Sequence, residues 1–120
     1  MDFNINYFDQ DIMDIISYRF SKQIKLQKFR DILSNFQVYT SGNSFHGYGN
    51  ILLSEHLWKE FTIGMLLLNY TRENLPTNII VDTRWVAHRI LSGFASLRWS
   101  NNAEGPKVLP QFYRHGILKL

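Results

Sequence analysis

Apolar positions in this chain fall into stripes separated by polar runs, and the stripes mark out its elements. The strongest runs from Ser54 to Tyr70. Ser54 is suited to cap a helix by accepting from the amide of Leu57 or Trp58, and Glu55 favours the positive end of the helix dipole. Leu57, Trp58 and Phe61 then lie on one side, with Glu55, Lys59 and Glu60 on the other. From Ile63 onward the segment is apolar nearly all round, which predicts a helix buried on every side. A central buried helix over about 54–70 follows.

The other stripes are weaker. Residues 2–7 alternate polar and apolar, as a short strand does. Asp9 or Asp11 can cap a helix reaching about Phe20, with Ile12, Ile15 and Ile16 near one face. A second helix is expected from Ser21 or Lys22 to Asn35, because Leu26, Phe29, Leu33 and Phe36 recur at helical spacing. Gln37 to Thr40 reads as a strand, Ser41-Gly42-Asn43-Ser44 as a turn, and Phe45 to Asn50 as an irregular or bulged segment. Asn78 to Asp82 reads as a short buried strand or as the lead-in to the next helix. That helix is expected from Thr83 to Trp99, with Val86, Ile90, Phe94 and Leu97 as its stripe. The tail from Lys107 is too apolar to dangle and is expected to return as a strand or a hairpin around Gly116.

The pattern therefore predicts an α+β fold. It is a mostly helical single domain over residues 1–120, with the 54–70 helix at its centre and a small β-sheet beside it. Composition supports a core. Of 120 residues, 45% are apolar and 15% aromatic, and large rings bury much area each. There is no cysteine, so disulfides and thiolate metal sites are excluded and a cytoplasmic location is expected. The opening ten residues carry acids and no Lys or Arg, so they do not read as a secretory signal. The longest apolar run, Ile63 to Leu68, is too short to span a bilayer. The net charge of +3 permits nucleic-acid contact but lacks a dense basic patch.

Candidate chemistry is sparse. His46, His56, His88 and His115 show no metal-ligand spacing, so no metal and no cofactor is expected. Arg84 and His88 lie one helical turn apart beside Arg89, and Tyr113-Arg114-His115 forms a second polar-aromatic cluster. A metal-free ribonuclease needs little more than such groups around a phosphate. A solvated helix face and an ordinary tail explain them more simply. The lysines between Arg19 and Arg30 are spaced by three, as on an outer helix face. Residues 41–50 hold three glycines but no phosphate-loop pattern. They read as a turn and bulged strand, or as a recognition loop presenting Phe45, His46 and Tyr48.

No catalytic motif is complete, and the chain is read as a non-enzymatic protein. The expected function is a small cytosolic binding protein that neutralises or regulates a macromolecular partner. An immunity protein inhibiting a toxin or nuclease is the type example. The expected contact residues are Asp9, Asp11 and Asp14 together with Phe45, His46 and Tyr48. The alternatives are a small ribonuclease or toxin using His, Arg and Tyr, a phage inhibitor of host defence, and an accessory subunit.

Overall fold

The computed structural model describes residues 1–49, 51–69, 79–93 and 110–118. Four antiparallel strands form one sheet in the order β1-β3-β2-β4. They are β1 (Asp2–Phe3), β2 (Gln37–Ser41), β3 (Ser44–Tyr48) and β4 (Gln111–His115). The helices are α1 (Gln10–Ser21), α2 (Arg30–Ser34), α3 (Glu55–Gly64) and α4 (Thr83–Ser92). Among the described residues the fold is thus α+β, as the pattern predicts. No described helix is long and apolar enough to cross a membrane.

Two of the expected caps are in place. Asp9 accepts from the Ile12 amide at 3.0 Å, and Ser54 accepts from the Leu57 amide at 3.2 Å. The helix expected over 21–35 is instead a 3-10 helix, Ile24–Phe29, followed by the short α2. Leu26 and Phe29 are spaced by three, which suits 3-10 winding as well as an α-helix. The Gln27 amide group also claims the carbonyls of Phe20 and Gln23, which a continuous helix would use.

The central helix is shorter than 54–70. It ends at Gly64 and tightens into a 3-10 turn, Met65–Asn69. Met65 and Leu68, again three apart, are fully buried, while Leu66 and Leu67 are half-buried. Ile63 is 52% exposed, so the segment is not buried on every side. Gly64 has a packing role: a Cβ there would lie 2.7 Å from Leu26 Cδ2. Phe61 packs edge-on against Phe29 and Phe36, with ring centroids 5.3 and 5.8 Å away.

β1 covers only part of the strand expected over 2–7. The segment after the turn, expected to be irregular or a bulged strand, is the regular strand β3 in register with β2. Directly opposed residues share a face. Phe3, Phe45, Val38 and Gly47 face the core, while Asp2, His46, Tyr39 and Phe112 form a row across the outer face. Gly47 is needed where it stands, since a Cβ would meet the Phe36 ring at 2.8 Å.

Residues 79–82 flank β1 on its other side. Phe3 bridges Val81, Asn4 donates to the Ile80 carbonyl at 2.7 Å, and Asp82 donates to the Asp2 carbonyl at 3.0 Å. Buried Asn69 holds this segment from behind. Its Oδ1 accepts from the Ile80 and Val81 amides at 2.9 and 2.7 Å, and its Nδ2 donates to the Val81 carbonyl at 3.1 Å. One side chain thereby does the work of a neighbouring strand. α4 begins immediately afterwards. Val86 is buried and Ile90 half-buried; Phe94, Leu97 and the rest of the expected helix lie outside the described residues.

The tail returns as β4 beside β2, as expected. Gly116 follows at φ +80°, in contact with the Ser34 backbone, and Ile117 enters the core.

Candidate functional site

The edge of the sheet where β1 meets residues 80–82 brings together chemistry that is distant in sequence. Asp2 sits on β1, His46 opposite it on β3, and Asp82 alongside. Asp82 is also the N-cap of α4, with Oδ1 accepting from the Arg84 amide at 2.9 Å. α4 then places Arg84, Trp85, His88, Arg89 and Ser92, spread from its first turn to its last, along the same cleft, of about 370 Å3.

Within this group His46 Nδ1 lies 2.8 Å from Asp2 Oδ1, and its Nε2 lies 3.2 Å from the Ser41 hydroxyl. In the tautomer that donates to Asp2, Nε2 accepts from Ser41. Burial by itself would raise the Asp2 carboxyl. The hydrogen bond with His46 and the positive charges of the chain's amino group, His46 and Arg89 outweigh it and hold Asp2 below its ordinary value. Tyr48, next on the outer face of β3, is raised by burial and by the Asp2 charge, with Arg89 partly offsetting them. The Arg89 charge therefore bears on both Asp2 and Tyr48.

The cleft is lined by two carboxylates and two guanidiniums, plus His88. Their formal charges cancel, so it carries little net charge of its own. Among the described residues no group of three or more His, Cys, Asp or Glu is arranged to hold a metal. What the cleft offers is a pair of acids beside a cationic helix face.

The residues expected to bind a partner are placed as follows. Asp9 is the cap of α1, Asp11 is exposed in its first turn, and Asp14 accepts from Gln10 Nε2 at 3.0 Å. Phe45 is buried against Phe8 and Tyr113 rather than presented on a loop. Tyr48 is half-buried, and His46 is half-buried on Asp2. Of the expected residues, only His46 belongs to the cleft's hydrogen-bonded group, and Tyr48 lies beside it.

The sequence marks Asp2 only as one of the acids of the opening segment, with Asp9, Asp11 and Asp14, and marks Arg84, His88 and Arg89 as a cluster, but does not tie Asp82 to either. The signal for Asp82 was present: an acid ending the β-branched run 79–81, directly before a helix stripe. Asp2 has no such local signal.

One family model matches, over residues 1–111: the AEP-like family, described as archaeo-eukaryotic primase 1D-like. No curated protein and no solved structure matches the chain significantly.

Proposed function

Because the chain belongs to the AEP-like, archaeo-eukaryotic primase 1D-like family, we propose that its cleft binds the polyphosphate of a nucleoside triphosphate for primase-type nucleotidyl transfer. The observation that carries this is the meeting of Asp2, Asp82 and His46 with Arg84, His88 and Arg89 at one sheet edge. Guanidiniums and an imidazole aligned along one helix beside two carboxylates suit phosphate oxygens.

Polymerase-type sites hold Mg2+ through one or two carboxylates plus substrate phosphates rather than in an all-protein cage. Asp2 and Asp82 fit that donor set. Their backbones are hydrogen-bonded to each other, and each carboxylate commits only one oxygen to a hydrogen bond among the described residues. A divalent cation held there would neutralise phosphate charge. It would also tip the balanced cleft to positive. His46, fixed by Asp2 and Ser41, is positioned to hold or move a proton at Nε2. The outer sheet face supports a nucleic-acid partner. Tyr39, between His46 and Phe112 in its row, packs edge-on against Phe112 at 5.7 Å, and Phe112 is 58% exposed. Exposed rings on a sheet are a stacking surface for single-stranded bases.

The test is calorimetric titration with a nucleoside triphosphate and Mg2+ or Mn2+, alongside a primer-synthesis assay on single-stranded DNA. Wild type is expected to bind and to make product. Asp82→Asn is expected to lose the product, and Arg84→Ala to weaken binding about tenfold or more. A folded wild type that binds neither nucleotide nor DNA overturns the reading.

A second reading is the partner-neutralising protein. What supports it is the set of exposed apolar side chains, with Leu52, Leu91 and Ile24 the most exposed. Its test is co-purification with one specific protein that survives gel filtration.

A further inference from the structure

A second pocket, of about 250 Å3, shares Trp85 as a wall with the cleft. The two also meet along the backbone, because Met1 and Gly47 line the pocket while Asp2 and His46 build the polar site. The pocket is strongly aromatic. Trp58 and Phe61 form its deep side, and the half-buried Tyr48 and Trp85 stand nearer the surface. At the mouth Leu52, an apolar lip, is 100% exposed.

Besides the Tyr48 hydroxyl and the two indole N–H groups, one buried hydroxyl belongs to this lining. Thr62 lies one turn after Trp58 on the same face of α3 and lines the pocket. It is 1% exposed, and its hydroxyl has no hydrogen-bond partner among the described residues. Buried hydroxyls are nearly always paired, because an unpaired one forfeits its hydration without return. Rotation about Cα–Cβ moves the Thr62 hydroxyl while its methyl fills the vacated space, so a polar guest can be met without repacking α3.

We propose that this pocket receives the nucleobase of the nucleotide whose phosphates lie in the cleft. The proposal rests on the reading of the cleft as a polyphosphate site. A flat, weakly polar ring system matches aromatic walls that carry a few polar atoms, and base–aromatic stacking accepts every base because each has a π-face. The Thr62 hydroxyl both donates and accepts, so it can serve an amino or a keto edge. The pocket therefore favours a nucleobase over other guests without selecting among the four by hydrogen bonding. A purine, with its larger ring, binds more tightly than a pyrimidine.

Adenosine, guanosine, cytidine and uridine separate the two sites because they carry no phosphate. Inorganic tripolyphosphate with Mg2+ probes the cleft alone. Binding is read by calorimetry and by quenching of tryptophan fluorescence. Adenosine is expected to bind wild type without any phosphate, to quench its fluorescence, and to bind Trp85→Leu about tenfold more weakly or worse. Thr62→Val keeps the shape and removes the hydroxyl. It is expected to weaken adenosine severalfold while leaving tripolyphosphate unchanged, and it stays informative if Trp85→Leu does not fold. If tripolyphosphate binds and no nucleoside does, the pocket assignment fails and the cleft stands. If adenosine binds equally to wild type and Thr62→Val, with the variant merely more stable, the hydroxyl has no role and the proposal is overturned. If neither probe binds, both readings fall.

Discussion

Asn69 shows how much one side chain can decide. Its amide makes three hydrogen bonds to the backbone of Ile80 and Val81, and all of them are buried. Asn69→Ala strands two amides and a carbonyl away from water, at about 1–3 kcal/mol for each group left unpaired. A loss of about 3 kcal/mol or more in urea unfolding is expected, with weaker nucleotide binding because Asp82 follows directly. A loss below about 1 kcal/mol would mean that water replaces the amide. Asp2 sets a pH dependence of the opposite character, small and signed. Its folded-state pKa lies below the ordinary 3.8, so the folded chain binds that proton more weakly than the unfolded chain does. The resulting stability is present above the ordinary pKa and is lost as pH falls through the lowered value. The Asp2 side chain is 42% exposed, so the contribution is held to below about 1 kcal/mol. Between about pH 6 and pH 3 wild type should lose slightly more stability than Asp2→Asn does. Equal losses would show the pair with His46 to be energetically silent.

At the scale of elements, sequence was informative wherever the determinant was local. Asp9 and Ser54 as caps, the Ser41–Ser44 turn and the return of the tail all rest on neighbouring residues. Phe61 was legible as core for the same reason, and Phe61→Ala is expected to cost about 3–5 kcal/mol by thermal or urea unfolding. A change within about 0.5 kcal/mol would place that ring outside the core. The two 3-10 segments were not legible, because apolar residues three apart satisfy both windings and only packing chooses. Close approach of Leu26 to Gly64 is one such choice, made between elements nearly forty residues apart in the sequence. Phe45 sits in the strand rather than the loop alternative for a related reason. Glycines around it suggested a loop, whereas Gly47 is there to admit the Phe36 ring behind a regular strand.

Over the whole molecule the cleft is a product of long-range pairing. Asp2, His46 and Asp82 come from three parts of the chain, and their meeting depends on sheet register, which no window of sequence reports. That is why their meeting is not legible in the sequence, whereas the pairing of Arg84 and His88, one turn apart, is. The two-residue strand β1 joins these parts, with β3 on one side and residues 80–82 on the other. So short an element has no stability of its own, and both neighbours hold it by contacts dozens of residues apart. The amides at its borders that tie it to both neighbours should therefore open only when the whole chain does. Hydrogen exchange at Asn4, Gly47 and Asp82 is expected to proceed at one shared rate, equal to that of global unfolding. If Asn4 and Asp82 exchange far faster than Gly47, the edge holding the cleft opens by itself. If all three keep pace with unfolding, the cleft has no half-assembled state, and a chain able to bind is a chain that has finished folding.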